Sequence, residues 1–81
     1  MELHDQLEGV RDQATFLAFV GALAEDRRKR PESWENGSVE TFLEAAVAWA
    51  EDTEMGATQG LAEASPWKRA AVFLYCGKIY E

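Results

Sequence analysis

The sequence predicts an all-α fold: a small irregular bundle of three main helices with a short helix at the N-terminus. Three observations predict it. Thirteen of the 81 residues are alanine, the residue that loses least on entering a helix. No stretch alternates apolar and polar residues with the period of a strand. Both prolines, Pro31 and Pro66, fall where a helical pattern stops or starts.

Each element follows from local signals. Glu2 to Gly9 forms the short first helix, because Leu3, Leu7 and Val10 share one helical face and Gly9 suits a stop. Asp12 caps the second helix by accepting from the free backbone donors of its first turn. Phe16, Phe19, Val20, Leu23 and Ala24 form its apolar stripe, flanked by Leu17. Arg27, Arg28, Lys29 and Arg30 close it against the negative end of the helix dipole, and Pro31 ends it. Asn36-Gly37 then marks a turn, since both residues tolerate positive φ. Ser38 caps the third helix, whose stripe is Val39, Phe42, Leu43, Ala46, Val47 and Ala50, with Trp49 beside it and Glu40, Glu44 and Glu51 on the polar face. From about Asp52 to Ala64 the periodicity disappears, which predicts a loop long for so small a domain. Ser65-Pro66 opens the last helix. That helix is apolar on nearly all sides: one arc holds Trp67, Phe73 and Leu74, the other Val72, Tyr75 and Ile79. Such a helix belongs at the centre of the bundle, or has one arc covered by a second subunit. Leu74→Ala is then expected to cost about 2–5 kcal/mol.

Length and charge exclude several classes of function. Residues 1–81 suffice for a single helical domain with a radius of gyration of about 12 Å. Fifteen acidic residues against eight basic give a net charge of −7, which argues against nucleic-acid binding and against an anionic membrane surface. The longest apolar run, Ala70 to Gly77, is far short of the roughly 20 residues of a membrane span. The acidic start, with no apolar core segment, is unlike a secretory signal, so the expected location is the cytoplasm. A lone cysteine, Cys76, allows neither an internal disulfide nor a cysteine-based zinc site.

The side chains that carry chemistry elsewhere read here as structural. His4 is the only histidine and stands near the terminus, where it is an exposed side chain rather than a general base. Cys76 lies near the C-terminal end of the last helix, whose dipole opposes a thiolate, so it reads as a small hydrophobe. Glu40, Glu44 and Glu51 share a face but read as a solvated helix surface rather than a metal or acid–base site. Arg27 to Arg30 reads as a helix ending rather than a phosphate-binding patch. No phosphate loop, nucleophile triad or dinucleotide fingerprint is present. The expectation is therefore no enzyme, no catalytic residue, no metal and no cofactor. The aromatics remain. Trp34 and Trp67 stand at helix entrances, where they either anchor connectors onto the core or serve as anchors for a partner, with Glu35 and Asn36 supplying polar contacts beside Trp34.

The steps Trp34-Glu35-Asn36-Gly37, Phe42-Leu43-Glu44-Ala45, Pro66-Trp67 and Gly77-Lys78-Ile79-Tyr80-Glu81 resemble a family of short bacterial proteins of unknown function. The resemblance implies an all-helical domain and brings no activity or catalytic residue. Some members of that family resemble, in size and acidity, immunity proteins that neutralise bacterial toxins. The functional expectation is a small acidic protein-interaction or regulatory module with an unidentified protein partner of basic character. The alternative is a homodimeric scaffold, built through the Val72–Tyr75–Ile79 arc or the basic segment.

Overall fold

The computed structural model describes residues 2–80, and its fold is all-α. Four α-helices follow one another: α1 (Leu3–Glu8), α2 (Gln13–Lys29), α3 (Val39–Thr53) and α4 (Pro66–Ile79), with short 3-10 turns at Pro31–Ser33 and Ala57–Gln59. The radius of gyration is 12.0 Å.

The caps are the predicted ones. Asp12 Oδ1 accepts from the backbone amide of Thr15, and Thr15 Oγ1 answers by accepting from the Asp12 amide, so two donors of the α2 entrance are satisfied together. Ser38 and Thr41 repeat the arrangement at α3. Ser65 accepts from the Lys68 amide at α4, where Pro66 occupies the first turn.

Helix α4 is the hub. It packs against α1, α2 and α3, whereas no Cα of α2 comes within 8 Å of α3. The enclosure expected from its sequence is incomplete, however. Ala71 and Gly77 are buried, but most of the other α4 residues are half-buried, and Pro66, Trp67 and Ile79 are exposed. Val72 and Tyr75, which lie on the arc that the alternative homodimeric reading assigns to a second subunit, pack on the core formed by Leu7, Val10, Phe19, Leu23 and Ala71. Gly77 has no side chain for a reason of packing: a Cβ there would stand 2.8 Å from the Phe42 ring. Its absence lets α3 and α4 approach closely.

The face that α3 buries differs from the stripe expected. Ala45, Ala46, Trp49 and Thr53 are covered, with Trp49 only 1% exposed, while Val39, Leu43 and Val47 are exposed. The buried face is centred on Trp49 because α4 lies on that side. The segment after Thr53 is the long connector that its lost periodicity predicts, beginning two residues later because Asp52 and Thr53 close α3, and it is built of turns. Glu54, Met55 and Gly56 turn through left-handed backbone. Thr53 Oγ1 donates to the Trp49 carbonyl and accepts from the Gly56 amide, and Trp49 Nε1 donates to Gln59 at 2.9 Å. Arg69 of α4 donates to the carbonyls of Met55 and Glu54. The turn is therefore built around Trp49 and braced from α4.

Gly56 has φ of +87°, and a Cβ on it would come within 2.5 Å of Leu61 Cδ1. Gly60 has φ of +86° with open space around it. Gly56→Ala is expected to cost about 2–3 kcal/mol, the left-handed penalty plus displacement of Leu61. Gly60→Ala is expected to cost about 1 kcal/mol, the backbone penalty alone. Urea titration of the two variants checks the difference; equal costs would mean that Leu61 yields freely.

Candidate functional site

The separation of α2 and α3 above α4 leaves a groove of about 370 Å³. Val20, Leu23 and Ala24 of α2 form one wall, Val39 and Phe42 of α3 the other, and Leu74 of α4 the floor. All six are apolar, so these walls offer burial of apolar surface rather than hydrogen bonds. Leu74 lacks packing on its groove side, so Leu74→Ala belongs at the low end of its expected range, about 2 kcal/mol, measured by chemical denaturation.

The connector from Trp34 to Ser38 closes one end of the groove. Trp34 stacks on Phe42 with ring centroids 5.8 Å apart. Arg27 Nη2 donates to the Gly37 carbonyl at 3.1 Å, and its guanidinium lies 6.0 Å from the Trp34 ring. Behind Trp34 is a polar cluster that the sequence did not disclose. Asp26 keeps only 7% of its side-chain surface exposed, and Lys78 keeps 11%. Asp26 Oδ2 accepts from Lys78 Nζ at 2.7 Å and from Trp34 Nε1 at 2.9 Å, and Oδ1 accepts from Arg30 at 3.4 Å. Burial pushes the Asp26 carboxyl up, but the bonds from Lys78, Trp34 and Arg30 outweigh it, and its pKa lies below the ordinary value.

The same connector caps α4. Asn36 Nδ2 donates to the carbonyls of Gly77 and Tyr80 at 3.2 and 2.8 Å, and the amides of Glu35 and Asn36 donate to the Lys78 carbonyl at 3.1 and 3.4 Å. The last carbonyls of a helix have no partner within it. Here a segment 41 or more residues away in sequence supplies one. The Trp-Glu-Asn-Gly step and the Gly-Lys-Ile-Tyr stretch thus form a single clasp.

The four residues named as partner contacts do not form one site. Trp34 and Asn36 are half-buried and line the end of the groove, with Glu35 exposed beside them. Trp67 stands at the opposite end of α4, 38% exposed, with its ring 5.5 Å from that of Phe16. In this structure Trp34 and Asn36 anchor the connector. The surface that the sequence does not disclose is Val39, Leu43 and Val47, which are 71%, 49% and 49% exposed; Val39 lines the groove, and Leu43 and Val47 follow it along α3 beyond the groove's lining. Its signal is the width of the apolar arc of α3: Ala45 and Trp49 extend the stripe on one side as far as Leu43 and Val47 do on the other, and one neighbouring helix covers only half of it.

The remaining reactive groups lie apart from the groove. His4 pairs with Glu8 at 3.3 Å on the exposed side of α1. Glu40, Glu44 and Glu51 are exposed along α3. The basic run is engaged locally: Arg28 and Lys29 with Glu25, Arg30 with Asp26. Burial pushes the Cys76 thiol up to about 11 from an ordinary 9.0. Its thiolate fraction near neutral pH then falls about a hundredfold. Alkylation of Cys76 is therefore expected to be about a hundredfold slower in the folded protein than in urea; equal rates would place the thiol in water.

Fold and groove together define a small all-α protein with an apolar cleft between two helices and no helix, among the described residues, long and apolar enough to cross a membrane. The chain belongs to a family of unknown function, DUF7660, whose model matches residues 12–81. The match begins at Asp12, the cap of α2, so α1 lies outside it. Neither the curated proteins nor the solved structures provide a match to the chain.

Proposed function

We propose that this protein is a protein-interaction module, and that its docking surface is the groove between α2 and α3 with the strip Val39, Leu43 and Val47. The observation that carries the reading is the uncovered half of the α3 apolar arc. Single exposed hydrophobic residues are ordinary on any surface. Three in line on one helix, running into an apolar cleft, are the pattern of a surface that a partner completes. The chemistry of the ionisable groups supports binding over catalysis: Cys76 is held as a thiol, His4 faces water on α1, and the α3 carboxylates are solvated. Such a module acts by occupying its partner, as a regulatory or immunity-type protein does. A homodimeric scaffold is the competing arrangement of the same surface.

Site-specific photo-crosslinking tests this. A photoreactive phenylalanine at Leu43 is expected to yield one discrete heterologous adduct in cells of the source organism, and the same group at Asp5 on α1 none. The captured protein, once purified, is expected to bind the native chain and to lose binding to Leu43→Asp. An adduct of doubled mass would identify the scaffold instead. No adduct at Leu43, or equal yields at both positions, would overturn the docking reading.

A further inference from the structure

We infer that the occupant of the groove is an amphipathic helix of another protein, apolar on the face it inserts and basic on the flank it turns toward α3. The inference rests on the docking reading above.

The helical form follows from the groove's chemistry. Its walls and floor are aliphatic and aromatic side chains borne on helices, and an all-α surface offers no strand edge to pair with. An extended segment laid there would lose water from its amides and carbonyls without gaining partners. A helix satisfies those groups internally and brings only side chains to the contact. The strip runs from Val39 to Val47, about 12 Å along α3, or just over two helical turns. A partner meets it with apolar residues at i, i+3 or i+4, and i+7, and α2, α3 and the newcomer then surround α4 over Leu74.

The sign of the flank follows from charge. Glu40, Glu44 and Glu51 run along α3 immediately beside the strip, all exposed, and none is in an ion pair among the described residues. Residues three, four and seven apart share a helix side, so the three carboxylates form one row. A helix seated on the strip places its α3-facing flank against that row. Lysine or arginine there gains attraction, and the net charge of −7 steers a basic partner toward the surface. Arg27 lines the groove's end and keeps its charge, but its guanidinium is held on the Gly37 carbonyl at the connector, so one cation stands there against three carboxylates along α3. The same row disfavours a second copy. Pairing two strips antiparallel about a two-fold axis sets glutamate against glutamate, between molecules already of like charge.

Two synthetic peptides of about 18 residues test this against the full chain. They carry identical leucines at i, i+3, i+4 and i+7; one has lysine at its polar positions, the other glutamate. A third, the lysine peptide with two central prolines, cannot form the helix. The lysine peptide is expected to bind at least about tenfold tighter than the glutamate peptide, and to weaken with added salt. It should gain helicity on binding and shift the amide resonances of Val20, Val39, Leu43 and Val47. Leu43→Asp should abolish binding without altering the circular dichroism of the protein, and Glu40→Lys with Glu44→Lys should reverse the preference between peptides. The inference is overturned if the glutamate peptide binds as well, if the proline peptide binds as well, or if lysine-peptide binding survives Leu43→Asp. It is also overturned if neither helix-forming peptide binds. A productive Leu43 crosslink with any of these results retires the occupant alone; a silent Leu43 retires the docking surface itself.

Discussion

Trp49→Ala is expected to cost about 3–5 kcal/mol, the largest effect of any single truncation in this chain. The indole is 1% exposed and is one of the two largest fully buried side chains. Its loss leaves a cavity on the buried face of α3. It also removes the donor that holds Gln59, so the turn from Glu54 to Gly60 loses its inner attachment. For a domain of this size total stability is about 4–12 kcal/mol, so the variant sits near the threshold of folding. At about 4–8 °C per kcal/mol, the midpoint of thermal unfolding is expected to fall by roughly 12 °C or more. Leu43→Ala is the internal control. Its side chain lies on the same helix within two turns of Trp49 but is half in water, so its cost is expected to stay within about 0.5 kcal/mol. Calorimetry of both variants decides the matter. A large cost at Leu43 with a small one at Trp49 would mean that α3 is rotated from the orientation described.

Those two residues also show how far the sequence is legible. Helix ends are written in single residues and their neighbours: Asp12, Ser38 and Ser65 each announce a cap, and each makes the expected bond. The identity of α4 as hub is legible too, because a helix apolar around most of its circumference has few other places to go. The rotation of α3 is not. Its stripe, read as a period, centres between Phe42 and Leu43, and the period is equally consistent with burying either half. Only the position of α4, admitted closely by Gly77 against Phe42, selects the half containing Trp49. The turn after Thr53 is illegible for a related reason. It has no period of its own, and its order comes from Trp49 and Arg69, which lie outside it. The clasp is the least legible part. Asp26 stands in the polar end of α2 like any surface acid; nothing in its neighbourhood in the chain signals that Lys78, 52 residues later, will meet it. The docking strip is legible only as an excess, an apolar arc wider than the bundle needs.

Asp26→Asn is the second substitution with a large expected effect, and pH separates its causes. The aspartate receives a lysine, an indole and an arginine at once, and removing its charge leaves Lys78 largely covered without a counter-ion. Breaking a buried pair from one side costs about 3–5 kcal/mol. This pair is covered yet lies close beneath the surface of a small protein, so about 2–4 kcal/mol is the expected cost near neutral pH. The folded carboxyl titrates below its ordinary value. Between the folded and the ordinary pKa, the unfolded chain binds the proton more readily than the native one. The contribution of Asp26 is therefore complete above about pH 4 and is lost as the pH falls through the folded pKa. Acid titration of stability is expected to bring the native protein and Asp26→Asn together, because a protonated Asp26 and an asparagine are nearly the same group. A gap between them that is constant down to strong acid would mean that shape, not charge, sets the cost. Lys78→Met combined with Asp26→Asn should then cost less than the two changes added, by about 1–3 kcal/mol, because the second change removes the ion that the first leaves stranded. Strict additivity would show that the two groups do not act as a pair. The clasp would then owe its hold to Asn36, which binds the Gly77 and Tyr80 carbonyls without any charge of its own.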